Sequence, residues 1–322
     1  MNNITIFLAA GNEELEQERL AISALTQHLN KIYQSKGRQV KLKLFKTGSE
    51  IEFSQETFEN SEMLFLVTSE KMVEEDKAYF DQAFKKFEIN EKPLLATYFK
   101  TGENKSDDVV EFMQFLDQTL NHYYSEYSEV EDLKCRILLN LITLDSGVSA
   151  KYYEDKIEVE GEEVALATNL QSISRNEALK NLRNEFDALI AEQKQAMQDH
   201  DELKTGESRD LVQKIQTQLE EKQKQIDDYR EDIFNAMLEL AKNTTKCDLL
   251  PEQKRAYKLL EAGDYIGANE VLDFSKIRDT MIDYTTTYTA GKEAAEELES
   301  DMNENQKTLD KAEECKQNAE LD

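Results

Sequence analysis

The chain has 322 residues, a formal net charge of −28, 33% charged residues, two prolines and no tryptophan. So negative a field repels phosphate backbones and anionic lipid, and argues against nucleic-acid and membrane partners. Cys135, Cys247 and Cys315 form no CxxC pair, and His28, His122 and His200 fall on unrelated segments, so neither a disulfide framework nor a metal site is expected.

Ile4 to Leu8 is a short apolar run broken by Ala9-Ala10-Gly11-Asn12. A helix is predicted from about Glu13, with Leu15, Leu20, Ile22, Leu25, Leu29 and Ile32 as its buried stripe. Glu13, Glu14 and Glu16 suit the positive end of its dipole. Val40, Leu42 and Leu44 alternate with Lys41 and Lys43, which predicts a half-exposed strand towards a sheet edge. Thr47 to Asn60 has no clear period; Phe53 and Phe58 are expected to plug it onto the body.

Glu62 to Lys100 is the organising stretch. A buried strand at Met63 to Val67 and the loop Thr68 to Lys71 lead into a helix through Tyr79, Phe80, Ala83, Phe84 and Phe87. A second buried strand, Leu94 to Tyr98, follows Lys92-Pro93. Strand, helix and strand in so short a span predict a right-handed crossover in a parallel sheet. Ligands of such sheets bind at the carboxyl ends of the strands, which directs attention to Ser69 through Tyr79.

Asp107 or Asp108 can cap a helix carrying Val109, Val110, Phe112, Met113, Phe115, Leu116 and Leu120. Tyr123 to Val130 reads as a tyrosine-rich loop, and Leu133 to Leu144 as a helix. Four strands alternating with helices predict an α/β three-layer domain over residues 1–145. Lys156 to Val164 is a hairpin signal turning at Gly161, within a linker at 146–174.

From Asn176 the pattern turns helical. Leu179, Leu182, Phe186 and Leu189 make one stripe, and Leu219, Lys222, Ile226, Tyr229, Ile233, Ala236 and Leu240 another. Lys204 to Ser208 separates them, with Ser208 as a candidate N-cap. The pattern fits a long antiparallel helical hairpin over 175–245, or a segment that coils with a partner. Across 250–322, two amphipathic helices meet at Gly263-Asp264-Tyr265, with small Ala256, Gly263 and Ala268 permitting close approach. A long polar helix from Ser275 is expected to follow. The helix pair is similar to a single tetratricopeptide repeat.

Together these pieces resemble a family of bacterial proteins. Its members join an N-terminal TIR-like domain, of the broad class that includes nucleoside 2-deoxyribosyltransferases, to a helical tetratricopeptide part. The resemblance runs through Ile4-Thr5-Ile6-Phe7-Leu8-Ala9-Ala10 with Glu13-Glu14-Leu15, Glu18-Arg19, Leu29-Asn30-Lys31-Ile32-Tyr33 and Phe80-Asp81-Gln82-Ala83-Phe84. It continues in Lys92-Pro93, Thr97-Tyr98-Phe99-Lys100, Gly161-Glu162-Glu163-Val164 and the repeat at Gly263. The implied fold is a flavodoxin/TIR-like parallel sheet with flanking helices, followed by an all-α hairpin and one repeat-like helix pair.

Such TIR-like domains cleave NAD or act as signalling adaptors, often in bacterial antiphage defence. The resemblance implies a catalytic glutamate four residues before Ala83, and that place holds Tyr79. A phenol with a reference pKa near 10 supplies no anion at neutral pH. Ala9-Ala10-Gly11 stands where a serine pair is expected, and Phe45-Lys46 where a tryptophan-acid pair is expected. Glu75 lies four residues before Tyr79 and is the candidate substitute acid, read otherwise as an ordinary first-turn glutamate. Asp81 lies about 200° round the helix from Tyr79. The candidate nucleotide contacts are Ala9, Ala10, Gly11 and Ser69; on its own Ser69 reads as a turn or cap residue.

Three functions follow. The first is a signalling or interaction protein on a degenerate TIR-like domain, working through a protein partner or self-association of its helical part, with no cofactor. The second is an NAD glycohydrolase that uses Glu75, with NAD as ligand or substrate. The third is a coiled-coil adaptor whose α/β domain is only a folding platform. With no apolar run of membrane-spanning length, a cytoplasmic location is expected.

Overall fold

Apolar runs of strand length alternate with amphipathic helices along the first 144 residues, and this alternation sets the layers. The computed structural model of the chain describes residues 2–34, 36–45, 61–102, 104–144, 148–153, 155–203, 206–245 and 249–272. Phe53, Phe58 and the helix expected from Ser275 lie outside the described residues. The described residues up to Val271 form one compact unit.

The first layer system is α/β. Strand β1 (Asn2–Ala9) leads through a 3-10 turn (Glu13–Leu15) into α1 (Glu16–Gln34) and β2 (Arg38–Phe45). Next come β3 (Met63–Thr68), α2 (Glu74–Asn90), β4 (Leu94–Lys100), α3 (Asp107–Gln114), a π turn (Phe115–Thr119), β5 (Tyr124–Tyr127) and α4 (Val130–Leu144). The sheet is parallel throughout, in the order β2-β1-β3-β4-β5. Every residue of β3 is buried, as a central strand of a two-faced sheet requires. Helices α2 and α3 share one face, where Tyr79, Phe80, Ala83 and Phe112 pack with Phe7, Leu64, Leu66 and Phe99. Helices α1 and α4 pack together in the same unit.

Several sequence expectations change. Ser106, not Asp107 or Asp108, precedes α3, and the second long helix starts at Gly206, ahead of Ser208. The tyrosine-rich loop contains a fifth strand, β5, whose four residues alternate in burial and pair with Thr97–Lys100. So short a strand carries too few periods to be read from pattern alone. Leu20, expected in the stripe of α1, is 64% exposed. The 3-10 turn resets the phase of the helix, so Leu15, Glu18, Arg19, Ile22, Leu25, Leu29 and Tyr33 face inward.

The second layer system begins at a three-stranded antiparallel sheet: β6 (Ala150–Tyr153), β7 (Lys156–Val159) and β8 (Glu162–Leu166). Strands β7 and β8 are the expected hairpin; β6 extends it. After the short α5 (Gln171–Ser174), α6 (Glu177–Leu203) and α7 (Gly206–Thr244) form the antiparallel hairpin. Ala196, Ile215 and Leu219 make a small core with Phe186, Leu189, Ile190 and Val212, and Lys222 pairs with Glu185 at 2.7 Å. Lys222 thus sits at a core-type spacing but sends its ammonium to the rim. The hairpin root is fixed by Asp155, which accepts from Arg183 and from Tyr152 at 3.1 Å and forms an ion pair with Arg230 at 3.1 Å.

Helices α8 (Pro251–Glu261) and α9 (Tyr265–Val271) are the repeat-like pair, with Ala256 and Ala268 fully buried. They turn at Gly263, whose φ is +90° and whose added Cβ would lie 2.8 Å from the Arg175 carbonyl carbon. Left-handed backbone and steric contact therefore both demand glycine. Gly263→Ala is expected to cost about 2–4 kcal/mol from these two effects together, measured by urea unfolding. A loss below about 0.5 kcal/mol would show that the Arg175 backbone yields freely.

A buried polar cluster joins α8 to the sheet. Arg136 on α4 donates to Asp132 at 3.0 Å and also pairs with Glu261, whose other oxygen accepts from the Tyr123 hydroxyl at 2.7 Å. Asp132 also accepts the Gln171 backbone N–H at 3.1 Å, and Asn140 donates to the Tyr98 hydroxyl. All of these side chains except Gln171 and Glu261 are at least 96% buried. No helix among the described residues is long and apolar enough to cross a membrane.

Candidate functional site

Chain direction across the sheet reverses between β1 and β3: β1 passes outward to β2, and β3 passes the other way to β4. In sheets of this order, the loops leaving adjacent strands part at the reversal and form the ligand crevice. The residues there are Ala10 to Asn12 after β1, Ser69 to Val73 after β3, and the first turns of α1 and α2.

These residues are tied to one another. The Gly11 N–H donates to both carboxylate oxygens of Asp76, at 2.8 and 3.1 Å. Asp76 is 2% exposed. A Cβ on Gly11 would meet the Phe45 ring at 2.9 Å and Asp76 at 3.1 Å, so any larger residue would have to displace those side chains. Asn12 donates to Ser69 Oγ at 2.8 Å and to the Lys71 carbonyl at 3.3 Å. Ser69 in turn donates to Glu14 at 3.2 Å. Arg19 spends its guanidinium on the same loop, reaching the carbonyls of Ala10 at 2.7 Å and Asn12 at 2.6 Å. Loop β1–α1 is thus stitched to loop β3–α2 across the crevice.

The sequence candidates divide. Ala9 and Ala10 are fully buried, and Ser69 is 2% exposed and committed to Asn12 and Glu14. Tyr79 is 4% exposed; its ring packs against Phe7 at 5.1 Å and Phe45 at 4.6 Å. Burial, with Asp76 and Glu75 nearby, raises its phenol further above the ordinary range. Glu75 points to solvent. Gly11 and Ser69 are the candidates bonded directly to acids: Gly11 to buried Asp76, Ser69 to Glu14.

The acid bonded to Gly11, Asp76, lies in the same first turn of α2 as Glu74 and Glu75. Burial pushes its carboxyl up to about 7, against the lowering effect of the Gly11 N–H; Glu75 adds to the rise and Arg19 opposes it. The available signal was the helix stripe. Asp76, Tyr79, Phe80 and Ala83 stand at i, i+3, i+4 and i+7, the spacing of one buried face. Glu75 matches Tyr79 alone and is rotated about 100° away from Asp76.

A second acid lies beside this one. Glu18, fully buried in the first turn of α1, accepts from Lys100 at 2.7 Å and Tyr127 at 3.3 Å, which join it to the ends of β4 and β5. Among the described residues, no three His, Cys, Asp or Glu side chains gather in a metal-holding arrangement. Chemically, the crevice offers one carboxyl able to exchange a proton near neutrality, but both its oxygens are taken by a backbone N–H. No family model, curated protein or solved structure matches the chain.

Proposed function

We propose that this chain is a signalling or interaction protein. Its α/β domain is TIR-like in the sense of the sequence resemblance, and its helical part is the scaffold for protein contacts. The observation that carries this reading is the closed crevice: Gly11 covers the Asp76 carboxylate, and Asn12 and Ser69 bond to each other. Where a catalyst would hold ribose hydroxyls, the chain holds itself. Tyr79, at the position the family gives to its glutamate, fills core between Phe7 and Phe45 instead. Antiphage defence is the setting that the resemblance implies.

One observation favours a second reading, NAD glycohydrolase. Asp76 is an acid at the crevice with its proton balanced near pH 7, within the range useful for general acid–base work. It is better placed for that role than Glu75. Incubating the full chain with NAD at several pH values and following nicotinamide separates the two. The interaction reading expects no release above the protein-free control. Release that is abolished by Asp76→Asn and kept by Glu75→Gln would overturn it in favour of the hydrolase.

A further inference from the structure

On a chain so rich in acids, one groove gathers cations. It lies between the π turn after α3 and helix α8, has a volume of about 540 Å³, and is lined by Asp117, Pro251, Lys254, Arg255, Lys258 and Leu259. Three cations there face one carboxylate. Lys254 is already engaged, donating to the Asp117 carbonyl at 2.7 Å, its carboxylate at 2.9 Å and Asn121 at 3.3 Å. Arg255 and Lys258 are exposed, and among the described residues neither makes a salt bridge or side-chain hydrogen bond.

A solvated helix face would spread such charges over a convex surface. Here they line a groove with apolar Pro251 and half-buried Leu259. Arg255 and Lys258 stand three residues apart on one helix, about 5–6 Å between Cβ atoms. Carboxylates on alternate residues of an extended chain are roughly 6.6 Å apart, close enough for each to meet one cation. A lone phosphate would engage a single point of this row. A nucleic acid would bring many phosphates into the field of the whole chain, which repels them.

We infer that this groove docks an acidic peptide segment of a partner protein, with carboxylates on Arg255 and Lys258 and an apolar side chain on Pro251 and Leu259. The inference deepens the interaction reading and rests on it, while the NAD assay stands apart from it. Because the net charge is −28, bulk electrostatics oppose any acidic peptide, so saturable binding requires a local site.

The test titrates the full chain into a fluorescein-labelled peptide, Asp-Glu-Leu-Glu-Asp-Leu-Glu-Asp, and reads anisotropy at low and physiological salt. Saturable, salt-weakened binding is expected, falling by about tenfold or more when Arg255→Glu and Lys258→Glu are combined. Lys258→Gln alone is expected to weaken it about threefold, and the exposed change Glu252→Gln to leave it within about twofold. The amide counterpart of the peptide, with Asn and Gln replacing the acids, is expected not to bind. Four results would overturn the inference: no saturable binding by the parent chain, equal binding by the charge-reversed variant, preference for single-stranded RNA of equal charge, or self-association of the chain that the reversal abolishes.

Discussion

Arg136→Met is expected to remove about 3–5 kcal/mol of folding stability, a large share of what a domain possesses. The arginine sits between Asp132 and Glu261, and all three lie in or beside the core formed by α4, α8 and the edge of the sheet. Removing the cation leaves two carboxylates close together, poorly hydrated and without a counter-charge. Each would have to take up a proton or draw in water. Glu261 retains only the Tyr123 hydroxyl, and Asp132 only the Gln171 N–H. Chemical denaturation of parent and variant measures the loss.

The companion measurement tests the mechanism. Combining Arg136→Met with Glu261→Leu removes one of the stranded acids and is expected to recover about 1–3 kcal/mol relative to Arg136→Met alone. If the two substitutions instead add as independent losses, the cluster is not coupled, and helix α8 is held by its apolar face. That face is substantial: Ala256, Tyr257 and Leu260 are buried, and Tyr257 meets the Tyr123 ring edge-on at 5.7 Å.

The second large effect concerns pH. In the unfolded chain the Asp76 carboxyl titrates near 3.8, and burial raises it to about 7 in the fold. The folded state therefore holds this proton more tightly. Its stabilising contribution is complete below pH 3.8 and is lost as pH rises through about 7, after which the difference is constant. The interval between those values corresponds to at most roughly 4 kcal/mol. Asp76→Asn keeps the shape and an acceptor for the Gly11 N–H but has nothing to titrate. The parent-minus-variant stability difference is thus expected to fall steadily between about pH 4 and about pH 7 and to be flat outside that window. A difference independent of pH across this range would mean that the carboxylate is hydrated, or paired with Arg19, well enough to stay ionised.

Much of the fold was written in local pattern. The run Met63 to Val67, the amphipathic helix after it and the strand to Tyr98 are each long enough to show a period, and their order dictates a parallel crossover. Short elements escaped, because four residues at Tyr124–Tyr127 or Ala150–Tyr153 repeat too few times to stand out from a loop. The site was harder. Gly11 and Asp76 are separated by 65 positions, and Arg136 and Glu261 by 125, so no periodicity within one element reports either contact. What could be read was which acid faces inward. That required the whole stripe Asp76, Tyr79, Phe80 and Ala83, rather than one spacing measured back from Tyr79.

The hairpin of α6 and α7 carries a mechanical consequence. Its root is pinned where Arg183 and Arg230 converge on Asp155, beside the β6–β7 turn, and its far half packs helix on helix. From Arg183 to Leu203 the helix extends roughly 30 Å. A tilt of about 10° at the root would carry the far end roughly 5 Å over that length. The aspartate is thus the fulcrum of a lever: a change too small to disturb the parallel sheet at one end becomes a displacement the size of a side chain at the other.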